Sequence, residues 1–136
     1  MDVQGRREIR ELSYPDSLRL LATVRFGRVV FTRHTRPMIR PVNHLVDGDQ
    51  LIIYANLNLV PVPTGRQVVA YEADTISHAT QLGWCVILTG TAEPIDEPLE
   101  LRRYEQLIDP WLPGSRSRLV RIEPDLITGI ELVQRW

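Results

Sequence analysis

Between Gly27 and Tyr54 the chain carries three short segments in which apolar and polar positions alternate: residues 27–32 (GRVVFT), 38–46 (MIRPVNHLV) and 50–54 (QLIIY). Alternation built on β-branched and aromatic side chains predicts strands. Thr35-Arg36-Pro37 separates the first from the second, and Asp47-Gly48 is a hairpin signal before the third. The same pattern predicts strands over 67–73, 84–93, 118–123 and 127–133, with a bend at Gly90. Helical spacing replaces it in two places. Ser13 stands three positions before Asp16, with Pro15 between, and Leu18, Leu21 and Ala22 follow, which predicts a helix over 14–23. Leu99, Leu101, Tyr104 and Leu107 predict a second over 97–107. Residues 74–80 are polar and fit a cap and one turn, and Pro61 and Pro63 oppose a regular helix in the connection 56–65. The first eleven residues are charged and aperiodic, so a loose arm over 1–11 is expected ahead of a single domain over 12–136. Seven strands with short helices predict a closed or partly closed antiparallel barrel with peripheral helices.

The second strand breaks a packing rule. Arg40-Pro41-Val42-Asn43 places a fixed cation and a proline in its middle, where proline removes a ladder donor and belongs at an edge or bulge. Alternation assigns Ile39, Pro41 and Asn43 to one face and Arg40, Val42 and His44 to the other. Residue types alone leave two readings of Arg40 open: a surface ion pair, or a planar guanidinium aimed at an anion or a polar ring edge.

Charge and composition narrow the choice of partners. The net charge is −1 and aromatics are 7%, so the basic, aromatic-studded surface of a nucleic-acid binder is not expected. All 16 cationic side chains are arginines, so any anion site must use arginines, hydroxyls or backbone donors. No apolar run approaches the roughly 20 residues of a membrane helix. One cysteine, Cys85, and no signal-peptide pattern over residues 1–7 lead us to expect a cytoplasmic protein. His34, His44 and His78 are scattered, so no metal site is expected, and no glycine-rich phosphate loop is present. Cys85 in an apolar strand reads as a small hydrophobe, and Trp84 as a core or interface aromatic. His44 shares the strand of the tetrad, which makes it a candidate for lining a site.

In their order along the chain these segments resemble the pyridoxamine 5'-phosphate oxidase-like family with the FMN-binding split β-barrel, in particular its small members of actinobacterial type. The resemblance rests on Gly27-Arg28-Val29-Val30-Phe31-Thr32, Arg40-Pro41-Val42-Asn43, Val69-Ala70-Tyr71-Glu72-Ala73-Asp74, Gly83-Trp84-Cys85-Val86 with Thr89-Gly90-Thr91-Ala92, and Val120-Arg121-Ile122-Glu123-Pro124 with Thr128-Gly129. It implies a mainly β fold, an antiparallel split barrel of about six or seven strands. It also implies a homodimer that holds FMN, or a deazaflavin relative, in the cleft between two barrels. The cofactor then carries the hydride chemistry, so no catalytic acid or base is demanded of the protein. By this resemblance Arg40, Pro41, Val42 and Asn43 lie along the flavin ring and its polar edge, Trp84 walls the pocket and His44 touches substrate.

One stretch departs from the family pattern. Counted back from the strand at Val68, Tyr54 falls where the family has a threonine and Asn58 where it has a serine. Leu59 takes the place of a lysine or arginine. Those positions grip the cofactor phosphate, and leucine supplies no charge. Each charge-assisted hydrogen bond lost is worth roughly 1.5–3 kcal/mol, and two together weaken binding on the order of a hundredfold. Arg66 replaces the missing cation if the connection folds back. Two expectations follow: a flavin-dependent oxidoreductase, or a split-barrel dimer that has lost tight cofactor binding and serves as a binding or stress-related accessory protein.

Overall fold

The computed structural model describes residues 5–56, 65–108 and 117–135. Seven strands and two helices follow in the order β1 (Arg6–Leu12), α1 (Tyr14–Leu21), β2 (Phe26–Arg33), β3 (Arg36–Asp47), β4 (Gln50–Asn56), β5 (Gln67–Asp74), β6 (Gly83–Pro94), α2 (Pro98–Leu107) and β7 (Ser117–Arg135). All pairings are antiparallel, in the order β1-β7-β4-β3-β2-β5-β6, and β6 returns to pair with β7. The ring therefore closes through β7, and β1 extends it. Two seams are short: β2 meets β5 over three residue pairs, and β3 meets β4 over five. A ring closed through such seams is a split barrel.

Two expectations are corrected. Of the segment foreseen as a loose arm, the part from Arg6 onward is β1, which pairs with β7 from Arg6↔Arg135 to Leu12↔Gly129. Its charges are an edge-strand pattern: Arg10 and Arg135 form ion pairs with Glu131 and Glu8 across the seam. The last two predicted strands are one, β7, running through Glu123 and Pro124 without a break. Proline is tolerated because β7 pairs with β4 up to Ile122 and with β1 only from Gly129, so Pro124 faces neither. Opposite it, the register slips between Thr89 and Gly90, the bulge behind the bend expected there.

Period-two alternation fills the barrel. Val29 and Phe31, Leu51 and Ile53, Val69 and Tyr71, and Trp84, Val86 and Leu88 point inward, and Leu21 of α1 joins this core. The helix starts as its sequence dictates, with Ser13 Oγ accepting from Asp16 N at 3.1 Å. It can lie on β7 because position 129 is glycine: a Cβ there would collide with Ser17 Oγ and Leu12. A second, smaller core lies outside the barrel. There α2 brings Tyr104 and Leu101 onto the outward residues Ile52, Tyr54 and Leu119. Tyr104 Oη donates to Asp47 Oδ2 at 2.6 Å, and Arg121 joins Glu100, tying the helix to the sheet.

Candidate functional site

The tetrad sits where β3 changes partners. Residues 36–43 pair with β2 and residues 43–47 with β4. Among the described residues no strand runs along the other side of 36–42, so Pro41 lies on a local edge of an otherwise interior strand. The alternation expected from the sequence holds. Val42 is buried in the barrel core, while Pro41 is exposed beside Arg28. Arg40 is half-buried, and its Nη1 donates to the carbonyl of Ile39 at 2.7 Å. Asn43 is turned outward between Phe26 and Tyr54, yet only 5% exposed.

A cavity of about 310 Å³ opens beside Asn43, at the small end of the range that ligand pockets occupy. One wall is the α1–β2 connection, with Val24 and Arg25; the second is β3, with Asn43 and His44; Leu107 and Ile108 at the end of α2 form the third. The connection is pinned to β3 by its carbonyl at Arg25, which accepts from His44 N at 2.9 Å and from Asn43 Nδ2 at 3.3 Å. Arg25 itself is exposed and is among the residues that line the cavity.

His44 is 6% exposed, and both ring nitrogens are engaged in the interior. Nε2 meets the carbonyl of Leu21 at 2.9 Å, and Nδ1 meets the hydroxyl of Tyr71, with the two rings edge-on. Burial pushes the His44 pKa below 6.5, against the raising effect of the Leu21 and Val24 backbone, and it pushes the Tyr71 phenol well above 10.0. Neutral histidine then carries its proton on Nε2 and donates to Leu21, while Nδ1 accepts from Tyr71. Neither nitrogen is left for a molecule in the cavity.

The expected site residues are thus only partly brought together. Asn43 and His44 line the cavity; Arg40, Pro41, Val42, Tyr54 and Trp84 are not among its lining residues. Trp84 is packed inside the barrel, and Tyr54 lies under α2. Asn58 and Leu59 fall outside the described residues. Arg66, the expected replacement cation, pairs with Glu93 at 3.2 Å. Sequence reading missed Arg25, Tyr71 and the end of α2. Tyr71 had a signal: a hydroxyl in the inward row Val69-Tyr71-Ala73 needs a buried partner.

The outer barrel face carries a second feature. Strand register sets Ile39, Val30, Ala70, Thr89 and Leu126 side by side across five strands. Ile39 is 58% exposed, Leu126 62% and nearby Val68 70%. The next row holds Arg28 paired with Glu72 and Asp74, and Cys85 Sγ lies 3.7 Å from Glu72. Burial, then these two carboxylates, raise the thiol to about 11, so at neutral pH it is not a nucleophile. Among the described residues no three His, Cys, Asp or Glu side chains converge as a metal site would need. No described helix is long and apolar enough to cross a membrane.

A seven-stranded antiparallel split barrel with a cavity at the tetrad strand defines the class. A family model described as pyridoxamine 5'-phosphate oxidase matches residues 14–131, and the chain belongs to that family. It is 42% identical to an uncharacterized protein of Mycobacterium tuberculosis, over 96% of this chain and 90% of that one. Among solved structures it is similar to a Corynebacterium glutamicum protein named as a candidate pyridoxamine 5'-phosphate oxidase, with 29% identity and a TM-score of 0.79 over 100% of this chain and 98% of that one. An FAD binding protein from Mycobacterium smegmatis shares the fold, at 24% identity and a TM-score of 0.69 over 91% and 98% of the two chains.

Proposed function

We propose that the chain binds a flavin-type cofactor, FMN, FAD or a deazaflavin, and works as an oxidoreductase. The observation that carries this reading is the meeting of β3 with the α1–β2 connection, where Asn43 and Arg25 stand at one cavity beside the open edge at Pro41. When bound, the cofactor supplies the hydride chemistry. The side chains here orient it: Asn43 offers an amide, Arg25 a charge, and Leu107 and Ile108 an apolar wall. The exposed apolar side chains on this face, Ile39, Val68 and Leu126, support a homodimer, because exposed apolar surface is what an interaction face offers. The test is an absorbance spectrum of the purified protein, followed by titration with FMN, FAD and a deazaflavin. Visible flavin bands, or a rise in Tm with added cofactor, support the reading. A colourless protein whose Tm no flavin moves at millimolar concentration overturns it. The second reading, a cofactor-poor accessory protein, is favoured by Leu59 at the expected cation position and by the Arg66–Glu93 pair; the same titration separates the two.

A further inference from the structure

We infer that Tyr71 is a positioning residue for the cavity: through His44 it fixes the α1–β2 connection, the wall that bears Arg25. The inference rests on reading this cavity as the ligand site. The chain of contacts is continuous. The Tyr71 ring is fully buried in the barrel, and its hydroxyl meets His44 Nδ1. Its passage depends on Gly27, where a Cβ would come within 2.7 Å of the hydroxyl and 2.8 Å of Cε1. Leu21 O can only accept, so the imidazole proton lies on Nε2 and points at it, 2.9 Å away, and Nδ1 accepts from the Tyr71 hydroxyl.

That carbonyl belongs to the last residue of α1, one of the four at a helix end that have no partner within the helix. It also accepts from Val24 N at 3.4 Å, so His44 and the start of the connection share one acceptor. The next bonds, from His44 N and Asn43 Nδ2 to Arg25 O, complete the attachment. A hydroxyl inside the barrel thereby helps to hold the ring that anchors the cavity wall outside it. Without that hydroxyl the buried Nδ1 has no donor and the ring loses one of its two anchors, so the bond from Nε2 to Leu21 O is held less firmly.

The test is imidazole ¹⁵N NMR and amide hydrogen exchange on wild type and Tyr71→Phe, which keeps the ring. In wild type His44 is expected as the neutral Nε2–H tautomer. In Tyr71→Phe that tautomer is expected to persist, because Leu21 O only accepts, while exchange at Val24 and His44 is expected to quicken about tenfold relative to Ile53 in β4. Adding His44→Gln, whose amide can donate to Leu21 O without a second partner, is expected to restore part of that protection. An Nδ1–H tautomer in wild type overturns the inference, and so does unchanged exchange at Val24 and His44 in a folded Tyr71→Phe. The wild-type tautomer needs no variant, so the inference can be refuted even if Tyr71→Phe does not fold. Binding of FMN is measured separately. A wild type that binds no flavin removes the proposed cofactor, while tautomer and exchange still decide the role of Tyr71.

Discussion

Arg25 and Cys85 show how position decides what a reactive-looking side chain can do. Arg25 is exposed at the cavity, and its backbone is held by two hydrogen bonds from β3. If the cavity takes an anionic cofactor, Arg25→Ala should weaken FMN binding about tenfold or more, the worth of one charge-assisted hydrogen bond. Calorimetric titration checks the affinity, and a melting curve checks that the variant is folded. Cys85 is the opposite case. It lies against Glu72 and Asp74, and its thiol is raised to about 11. Alkylation by iodoacetamide at pH 7.5 should be slower than for a free cysteine and should quicken as the pH approaches that value. Neither outcome was legible in the sequence. Arg25 stood between predicted elements, and the carboxylates beside Cys85 come from a neighbouring strand, set there by the register Asp74↔Cys85 and Glu72↔Ile87.

Among the elements, the β2–β3 hairpin carries a local conflict. His34 and Thr35 are the two turn residues, with Arg33 paired to Arg36, and both take positive φ, 52° and 63°. Two-residue hairpins favour this geometry, but they favour it with Asn-Gly, and a β-branched residue there is strained. Replacing both, His34→Asn with Thr35→Gly, should raise stability by about 1 kcal/mol or more, read as a shifted denaturation midpoint with unchanged slope. The hairpin at Asp47-Gly48 has no such conflict, because Gly48 takes the positive φ of 60°. Helices and inner strands were read well from the pattern, since periodicity reports which face is buried. The strand at each end was not: β1 has no apolar face to show, with Ile9 exposed, and the unity of β7 depends on what lies beside Pro124.

For the whole molecule, one prediction concerns pH and one concerns association. Burial holds His44 below 6.5, so as the pH falls under that value the unfolded chain takes up a proton that the folded chain resists. The stability due to neutral His44 is complete above pH 6.5 and is lost as the pH drops through the lower folded value. Around the ring stand Tyr71 from β5 and Arg25 from the connection, while Arg28 and Glu72 lie on the outward side of their strands. Glu72 works in the other direction: burial and Asp74 raise it above 4.5, so its contribution is complete below 4.5 and fades as pH rises through its folded value. The His44 part of the pH dependence should therefore lower Tm on acidification below pH 6.5, and it should be absent in His44→Gln, read as the difference between the two melting profiles. If the chain forms the proposed homodimer, its association should depend on the exposed apolar side chains of the outer face. Leu126→Glu is expected to lower the mass seen by light scattering toward one chain while leaving the far-ultraviolet circular dichroism unchanged; an unaltered mass would place the interface elsewhere.

By itself the sequence determined the barrel strands, the two helices, the local edge required by Pro41 and the family, because each is written in near-neighbour pattern: period two, period 3.6, a cap, a proline, a motif order. Tertiary structure alone decided that β1 joins β7, that Asn43 meets Arg25 at one cavity, and that His44 turns inward to Tyr71 and Leu21. Those contacts join residues far apart in the chain, and their geometry is set by barrel closure and strand register, which no local window of sequence contains.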